Sequence, residues 1–279
     1  MKTLIIGGNS FVGLRFCKKY KKSIFSSCRT KNSKFYLDLN EINENFFSEI
    51  EKEGITHCVF LAAISSPDEC ENNYTNAHLL NVVSTKEVIK RLLSLSVKVV
   101  FFSSDQVYPD NTDLFTSKYP CSPISKYGQM KREVEKAFEY NQNFKIFRLS
   151  YIYDSSDGFL NYLKNCASLD EKAEIYKDFS RNIIHIDDVI ECMNYAISNW
   201  EIIEKISNIC GPKCLSRAEI ADIIKKKTYN NLKYKVVEAN EKFWKARTKI
   251  CNLDITDTVS ILNRAPKSFE HFVENNYEN

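Results

Sequence analysis

The first 150 residues alternate short apolar runs with longer stretches whose apolar positions recur every three or four residues. The short runs at 2–6, 23–27, 35–37, 57–62, 97–103 and 145–149 read as strands. Several are apolar without a break, the pattern of strands covered on both faces in a parallel sheet. Helical periodicity fills 11–21, 41–53, 76–95 and 125–140. This order predicts an α/β fold, a doubly wound Rossmann-type parallel sheet, over residues 1–150 with returns from later segments. Beyond 150 the order loosens: helices are expected at 158–168, 187–199 and 216–228, and a strand at 206–209. Ser216 followed by Glu219 reads as a capping box. With no internal repeat or Pro/Gly-rich linker, residues 151–279 are expected to form a smaller α/β substrate-binding region. It would share a cleft with the carboxyl edge of the sheet.

Composition narrows the function classes. Of 279 residues 43% are apolar and 27% charged, and the net charge is +3. That balance excludes an electrostatic nucleic-acid or membrane binder; the basic runs 18–22 and 225–227 read as solvated helix faces. No apolar run approaches the roughly 18 residues of a membrane span. The apolar start Leu4-Ile5-Ile6 is broken at once by Gly7-Gly8-Asn9, unlike a signal sequence, so a cytoplasmic protein is expected. Ten cysteines lie scattered without a Cys-x-x-Cys pair, and four histidines do not complete a zinc set, so no metal is expected.

Glycine is scarce, seven in all, yet three fall between positions 7 and 13. Gly7 and Gly13 match the outer glycines of a Gly-x-x-Gly-x-x-Gly turn, with Ser10 in the middle place. Such a strand–turn–helix aims backbone N–H groups and a helix N-terminus at a pyrophosphate, which makes Gly7, Asn9, Ser10, Phe11 and Val12 candidate cofactor contacts. After the second strand a dinucleotide fold sets an acid against the ribose hydroxyls, or a base against a 2′-phosphate. Here the run is Ser26-Ser27-Cys28-Arg29-Thr30, and Arg29 favours NADP(H) over NAD(H).

Tyr127 and Lys131, four apart on an expected helix, share a face, and a lysine ammonium beside a phenol favours the phenolate. The spacing alone is common: Tyr229 and Lys233 repeat it without a neighbouring strand signal. Context singles out the first pair, because the apolar strand before it ends in Ser103-Ser104-Asp105-Gln106-Val107-Tyr108, at the edge where α/β sheets bind ligands.

Taken in order, these features resemble the extended short-chain dehydrogenase/reductases that act on nucleotide sugars. The resemblance also covers Tyr36-Leu37-Asp38-Leu39, Phe60-Leu61-Ala62-Ala63, Asn81 and Phe147-Arg148-Leu149. It continues through the run from Arg181 to Val189 and the run from Asn208 to Gly211. The resemblance implies that Tyr127 is the general acid/base, that Lys131 holds the nicotinamide ribose and tunes Tyr127, and that Ser104 bonds the reacting oxygen. Asp38, Leu39, Leu61, Ala62 and Ala63 would flank the cofactor. Ser65, Gln106 and Tyr151 would face the substrate, and Arg181 with Arg247 its diphosphate. Asn81 would bend its helix. A homodimer is implied through the helices carrying Asn81 and Tyr127, with Leu79, Leu80, Val83, Val88, Leu92, Val134 and Phe138 as candidate apolar surface.

Three reactions compete. A 4,6-dehydratase needs an acid after the aspartate, and Gln106 stands there; an amide cannot act as that base. A 4-epimerase keeps NAD bound, against which Arg29 and the chain's modest length argue. What remains resembles the dTDP-4-dehydrorhamnose reductase branch: NADPH reduces a 4-keto nucleotide sugar for surface polysaccharide while Tyr127 supplies the proton. Epimerisation with bound NAD stays open. So does a non-catalytic dinucleotide-binding regulatory subunit, for which Ser10 in the glycine turn leaves room.

Overall fold

The computed structural model describes residues 1–21, 24–27 and 33–276. Six parallel strands form the main sheet: β1 (Thr3–Ile6), β2 (Ile24–Ser27), β3 (His57–Phe60), β4 (Lys98–Ser104), β5 (Phe144–Leu149) and β6 (Ile206–Ile209). Their spatial order is β6-β5-β4-β3-β1-β2. β6 is the later return to the sheet. Among the described residues the run at 35–37 is not a strand of this sheet; Phe35 and Leu37 bury their side chains while Asp38 bridges to Glu41 in a tight turn.

The unbroken apolar strands are explained by helices on both faces. In β4, Val100 and Phe102 point to one core with Phe16, Val189, Ile190 and Met193. Val99 and Phe101 point to the other with Phe46, Ile50, Val88 and Leu92. A period of two thus serves two cores at once.

The stretch expected as one helix at 76–95 is three segments in line: Tyr74–His78, a π-helical turn Leu79–Ser84, and Thr85–Ser94. Asn81 lies inside that turn and ties it to the loop after β3. Its Oδ1 accepts from the Ile64 N–H at 2.8 Å and its Nδ2 donates to the Ile64 carbonyl at 2.9 Å. Of the expected dimer-facing residues, Val88, Leu92 and Val134 are buried in the core, and Leu80 lines the cleft described below. Leu79 and Val83 are exposed.

Short strands that the periodicity did not signal build the smaller region, all of them beyond β5 except Leu114–Phe115. Cys214–Ser216, Ser180–Asn182, Ile250–Leu253 and Leu114–Phe115 form one sheet, and Lys172–Tyr176 pairs in parallel with Lys233–Val237. The expected helices stand as Gly158–Ser168, Ile186–Ser198 and Arg217–Lys227, the last opened by the Ser216–Glu219 capping box. No described helix is long and apolar enough to cross a membrane.

One buried ion pair locks helix to sheet. Arg148 on β5 sends Nε and Nη2 to the Glu135 carboxylate at 3.1 and 2.8 Å, and Ser103 donates to Glu135 Oε1 at 2.5 Å. Arg148 also donates to the Tyr108 hydroxyl, which donates in turn to Asn208 on β6. Breaking such a pair strands a buried charge, so Glu135→Gln is expected to cost about 3–5 kcal/mol of stability. In urea unfolding, Glu135→Leu combined with Arg148→Met should recover most of that loss; a Glu135→Gln midpoint equal to the native one would contradict the assignment.

Candidate active site

A cleft of about 1370 Å³ opens over the carboxyl ends of β1, β3, β4 and β5, where helix N-termini and strand ends converge. Its floor begins at the glycine turn. Gly7 takes φ +88°, and a Cβ there would lie 2.9 Å from the Ala62 backbone nitrogen, so the turn needs glycine on both counts. Asn9, Phe11 and Val12 line the cleft beside it. Ser10 is the N-cap of helix Phe11–Lys19: its Oγ accepts from the Gly13 N–H at 3.1 Å, which gives the serine a local structural task. Asp38, Leu39, Leu61, Ala62, Ala63 and Ser65 continue this wall. Arg29 lies outside the described residues.

Helix Lys126–Phe138 brings in the candidate catalytic pair. It starts at the Ser125 cap and passes so close to the end of β4 that a Cβ on Gly128 would lie 2.0 Å from the Gln106 carbonyl oxygen. That approach carries Tyr127 and Lys131 into the cleft with Ser104. Lys131 is buried, donates to the Phe102 carbonyl at 2.7 Å, and lies 5.7 Å from the centre of the Tyr127 ring. Burial lowers its pKa to about 8, against the pull of Glu135 and Cys70. The sequence reading has Lys131 lowering the Tyr127 pKa; here burial, then Cys70 and Asp105, push the phenol up. Tyr127 therefore holds its proton at neutral pH, the state from which a donor acts.

Ser104, Gln106 and Arg181 belong to one hydrogen-bonded ring. Ser104 Oγ donates to Asp105 Oδ1 at 3.1 Å and accepts from the Gln106 N–H at 3.2 Å. Asp105 Oδ2 faces Arg181 Nε at 3.4 Å, and Arg181 Nη2 donates to Thr248 Oγ1 at 2.9 Å. Gln106 Nε2 closes the circle, 3.3 Å from both Thr248 Oγ1 and Asp105 Oδ1. Arg181 Nη1 and Nη2 also reach the Ser180, Lys249 and Thr248 carbonyls. Each guanidinium nitrogen of Arg181 is thus engaged inside the protein, although the residue lines the cleft. Arg247 lines it too and forms a two-pronged pair with Asp68 at 2.8 and 2.6 Å, bridging the regions before and after β5.

Sequence reasoning missed Arg217 and the aromatic wall around it. Phe159, Phe179 and Phe243 line this part of the cleft with Tyr151, which was expected. Arg217 is the first residue of helix Arg217–Lys227; the nearby Ser216–Glu219 capping box was legible, but nothing marked the arginine as facing the cleft. Among the described residues no cluster of His, Cys, Asp or Glu could hold a metal ion.

Residues 1–278 match the RmlD substrate binding domain, and the chain belongs to that family. Two curated relatives of different kinds are similar to it. Methionine adenosyltransferase 2 subunit beta of Rattus norvegicus is 26% identical over 160 residues, 54% of this chain and 47% of the relative. dTDP-4-dehydrorhamnose reductase of Escherichia coli is 30% identical over 115 residues, 40% of this chain and 38% of the relative. The matched segment thus spans less than half the length of either. Among solved structures, dTDP-4-dehydrorhamnose reductase of Bacillus anthracis in complex with NADP superposes with a TM-score of 0.80 at 19% identity, covering 98% of this chain and 97% of that one. UDP-glucose 4-epimerase of Thermotoga maritima with UDP-glucose gives 0.79 at 19%, covering 100% and 98%. At those identities the likeness is one of fold.

The depressed Lys131 predicts a pH dependence. Between about 8 and its ordinary 10.5 the folded chain has released a proton that the unfolded chain still holds, so stability rises with pH across that window. Lys131→Met lacks this dependence. Relative to the native chain its stability should fall, by on the order of 3 kcal/mol, as pH rises from 8 to 10.5 in urea unfolding. A constant gap would show that Lys131 is not the titrating group.

Proposed function

We propose that this protein is an NADPH-dependent reductase of a nucleotide-linked 4-keto-6-deoxy sugar, a cytoplasmic homodimer serving surface-polysaccharide synthesis. The observation that carries the reading is that Ser104, Tyr127 and Lys131 line one cleft, with an amide at Gln106 tied off to Thr248 where a dehydratase needs a base. The glycine turn from Gly7 to Val12 would receive the cofactor pyrophosphate, Asp38 and Leu39 its adenosine, and Ala62 and Ala63 would floor the nicotinamide end. When bound, NADPH supplies the hydride that reaches the keto carbon. Tyr127 gives its phenolic proton to the resulting alkoxide, so the carbonyl becomes an alcohol with hydride and proton both accounted for. Lys131, close by and largely charged at neutral pH, stabilises the phenolate left on Tyr127. Ser104 holds the reacting oxygen after turning its own proton from Asp105.

The presence of Ser104, Tyr127 and Lys131 together in one cleft favours an enzyme over a regulatory subunit, which has no use for all three. The test is anaerobic mixing of the protein with NADPH and a panel of 4-keto-6-deoxy sugar nucleotides, followed at 340 nm. Oxidation with one member is expected, and Tyr127→Phe should slow it on the order of 10²- to 10⁴-fold. No oxidation across the panel, with NAD(H) released on denaturation, would replace the reductase by an epimerase. Neither turnover nor cofactor would leave the subunit role suggested by the methionine adenosyltransferase relative.

A further inference from the structure

Three arginines meet around one aromatic cluster in the cleft, and they differ in how their charge is used. Arg181 lies over the Phe179 ring at 4.5 Å and is paired with Asp105. Arg247 lies over Phe243 at 4.4 Å and is paired with Asp68. The two rings are themselves in contact, their centres 5.6 Å apart. Arg217 shares Phe179 with Arg181, at 5.2 Å, and also sits over Phe159 at 4.0 Å and Tyr151 at 4.9 Å.

Among the described residues no carboxylate forms an ion pair with Arg217; its side-chain partner is the Tyr151 hydroxyl. Asp157, which shares that hydroxyl, is taken up by it and by the N–H groups of Phe159 and Leu160 at the start of the next helix. Glu174, a further acid of the cleft wall, pairs with Lys235 at 2.6 Å. Ring faces hold a guanidinium in place without neutralising it, and five N–H donors cannot be met by one phenol. A half-buried arginine so arranged presents a planar fork and an uncancelled charge to the cleft.

We infer that Arg217 grips the diphosphate of the nucleotide-linked substrate, in place of the arginine pair Arg181 and Arg247 whose charges are spent on Asp105 and Asp68. The inference deepens the proposed function and rests on its substrate class. The neighbouring rings fit the same ligand: Tyr176 packs on Phe243 with centres 4.6 Å apart, and with Phe159 they offer a surface on which a nucleobase can stack beside its phosphates.

The test is calorimetric binding of UDP, dTDP, GDP and CDP to the NADPH-loaded protein, with no turnover required. For whichever nucleotide the native protein binds, Arg217→Gln should weaken affinity on the order of 10-fold or more, and Arg217→Lys should restore part of it. NADPH affinity and the thermal midpoint should stay unchanged in both variants. Retained nucleotide affinity in Arg217→Gln would overturn the assignment alone. Equal losses of nucleotide and NADPH affinity would also overturn it, as the mark of a packing role. A native protein that binds NADPH but none of the four nucleotides would overturn the assignment and the substrate reading together, while binding without any reduction would remove the reductase and leave Arg217 in place.

Discussion

The placement of Tyr127, Lys131 and Ser104 depends on the Glu135–Arg148 pair. Both side chains are buried, one on helix Lys126–Phe138 and the other on β5. Taking two charges out of water is costly, and a well-packed apolar pair of the same volume serves stability at least as well. What the ion pair adds is direction. A bidentate contact fixes how the helix rotates and slides along the sheet, and Glu135 takes a third bond from Ser103, the residue before Ser104. Tyr127 and Lys131 lie two turns and one turn back along that helix from Glu135. Their reach into the cleft is thus set by the same carboxylate that steadies the strand end carrying Ser104.

The ring through Asp105, Arg181, Thr248 and Gln106 does for the two regions what the ion pair does for helix and sheet. Asp105 and Gln106 belong to the end of β4, whereas Arg181 and Thr248 come from the later region. Every link is polar and buried, so the partners stand or fall together. The ring also orients Ser104, whose hydroxyl proton points at Asp105. A ligand carbonyl must compete with that carboxylate for the serine proton, while among the described residues no hydrogen bond holds the Tyr127 proton. In the proposed reaction, proton donation would therefore fall to the phenol and orientation to the hydroxyl.

How far the sequence reaches follows from the length scale of each signal. The β-α alternation was legible because β4 alone carries seven residues and helix Lys126–Phe138 thirteen, enough for a period to declare itself. Length alone does not decide it, since β1, β2, β3 and β6 have four residues each and were legible. Strands that were not, such as Lys172–Tyr176 and Ser180–Asn182, carry charged residues that interrupt any apolar run. The π-helical turn was invisible to periodicity, although Asn81 itself was picked out as a helix-bending residue. Of the site, the described candidates were found at the cleft because they stand on strand ends and helix starts. Their partners were not: Asp68 meets Arg247 across 179 positions, and Thr248 meets Gln106 across 142. Electrostatic state was lost with the partners: the sequence shows neither the carboxylates beside Arg181 and Arg247 nor the burial that raises the Tyr127 phenol.

That loss bears on how charge is shared in the cleft. Arginine was legible as a residue type suited to phosphate, but type alone does not separate a cation that binds a ligand from one that holds the protein together. Arg181 belongs to the second kind: Asp105 and three carbonyls have first claim on it, and moving it would open the ring that orients Ser104. Arg247 stands between: its charge is also spent, on Asp68, but that pair is half exposed and holds less than the buried ring around Arg181. Among the described residues Arg217 has ring faces and a phenol to leave. Ranked by what each must give up, the three guanidinium groups form a gradient from structural to available, and the available end lies beside the aromatic wall.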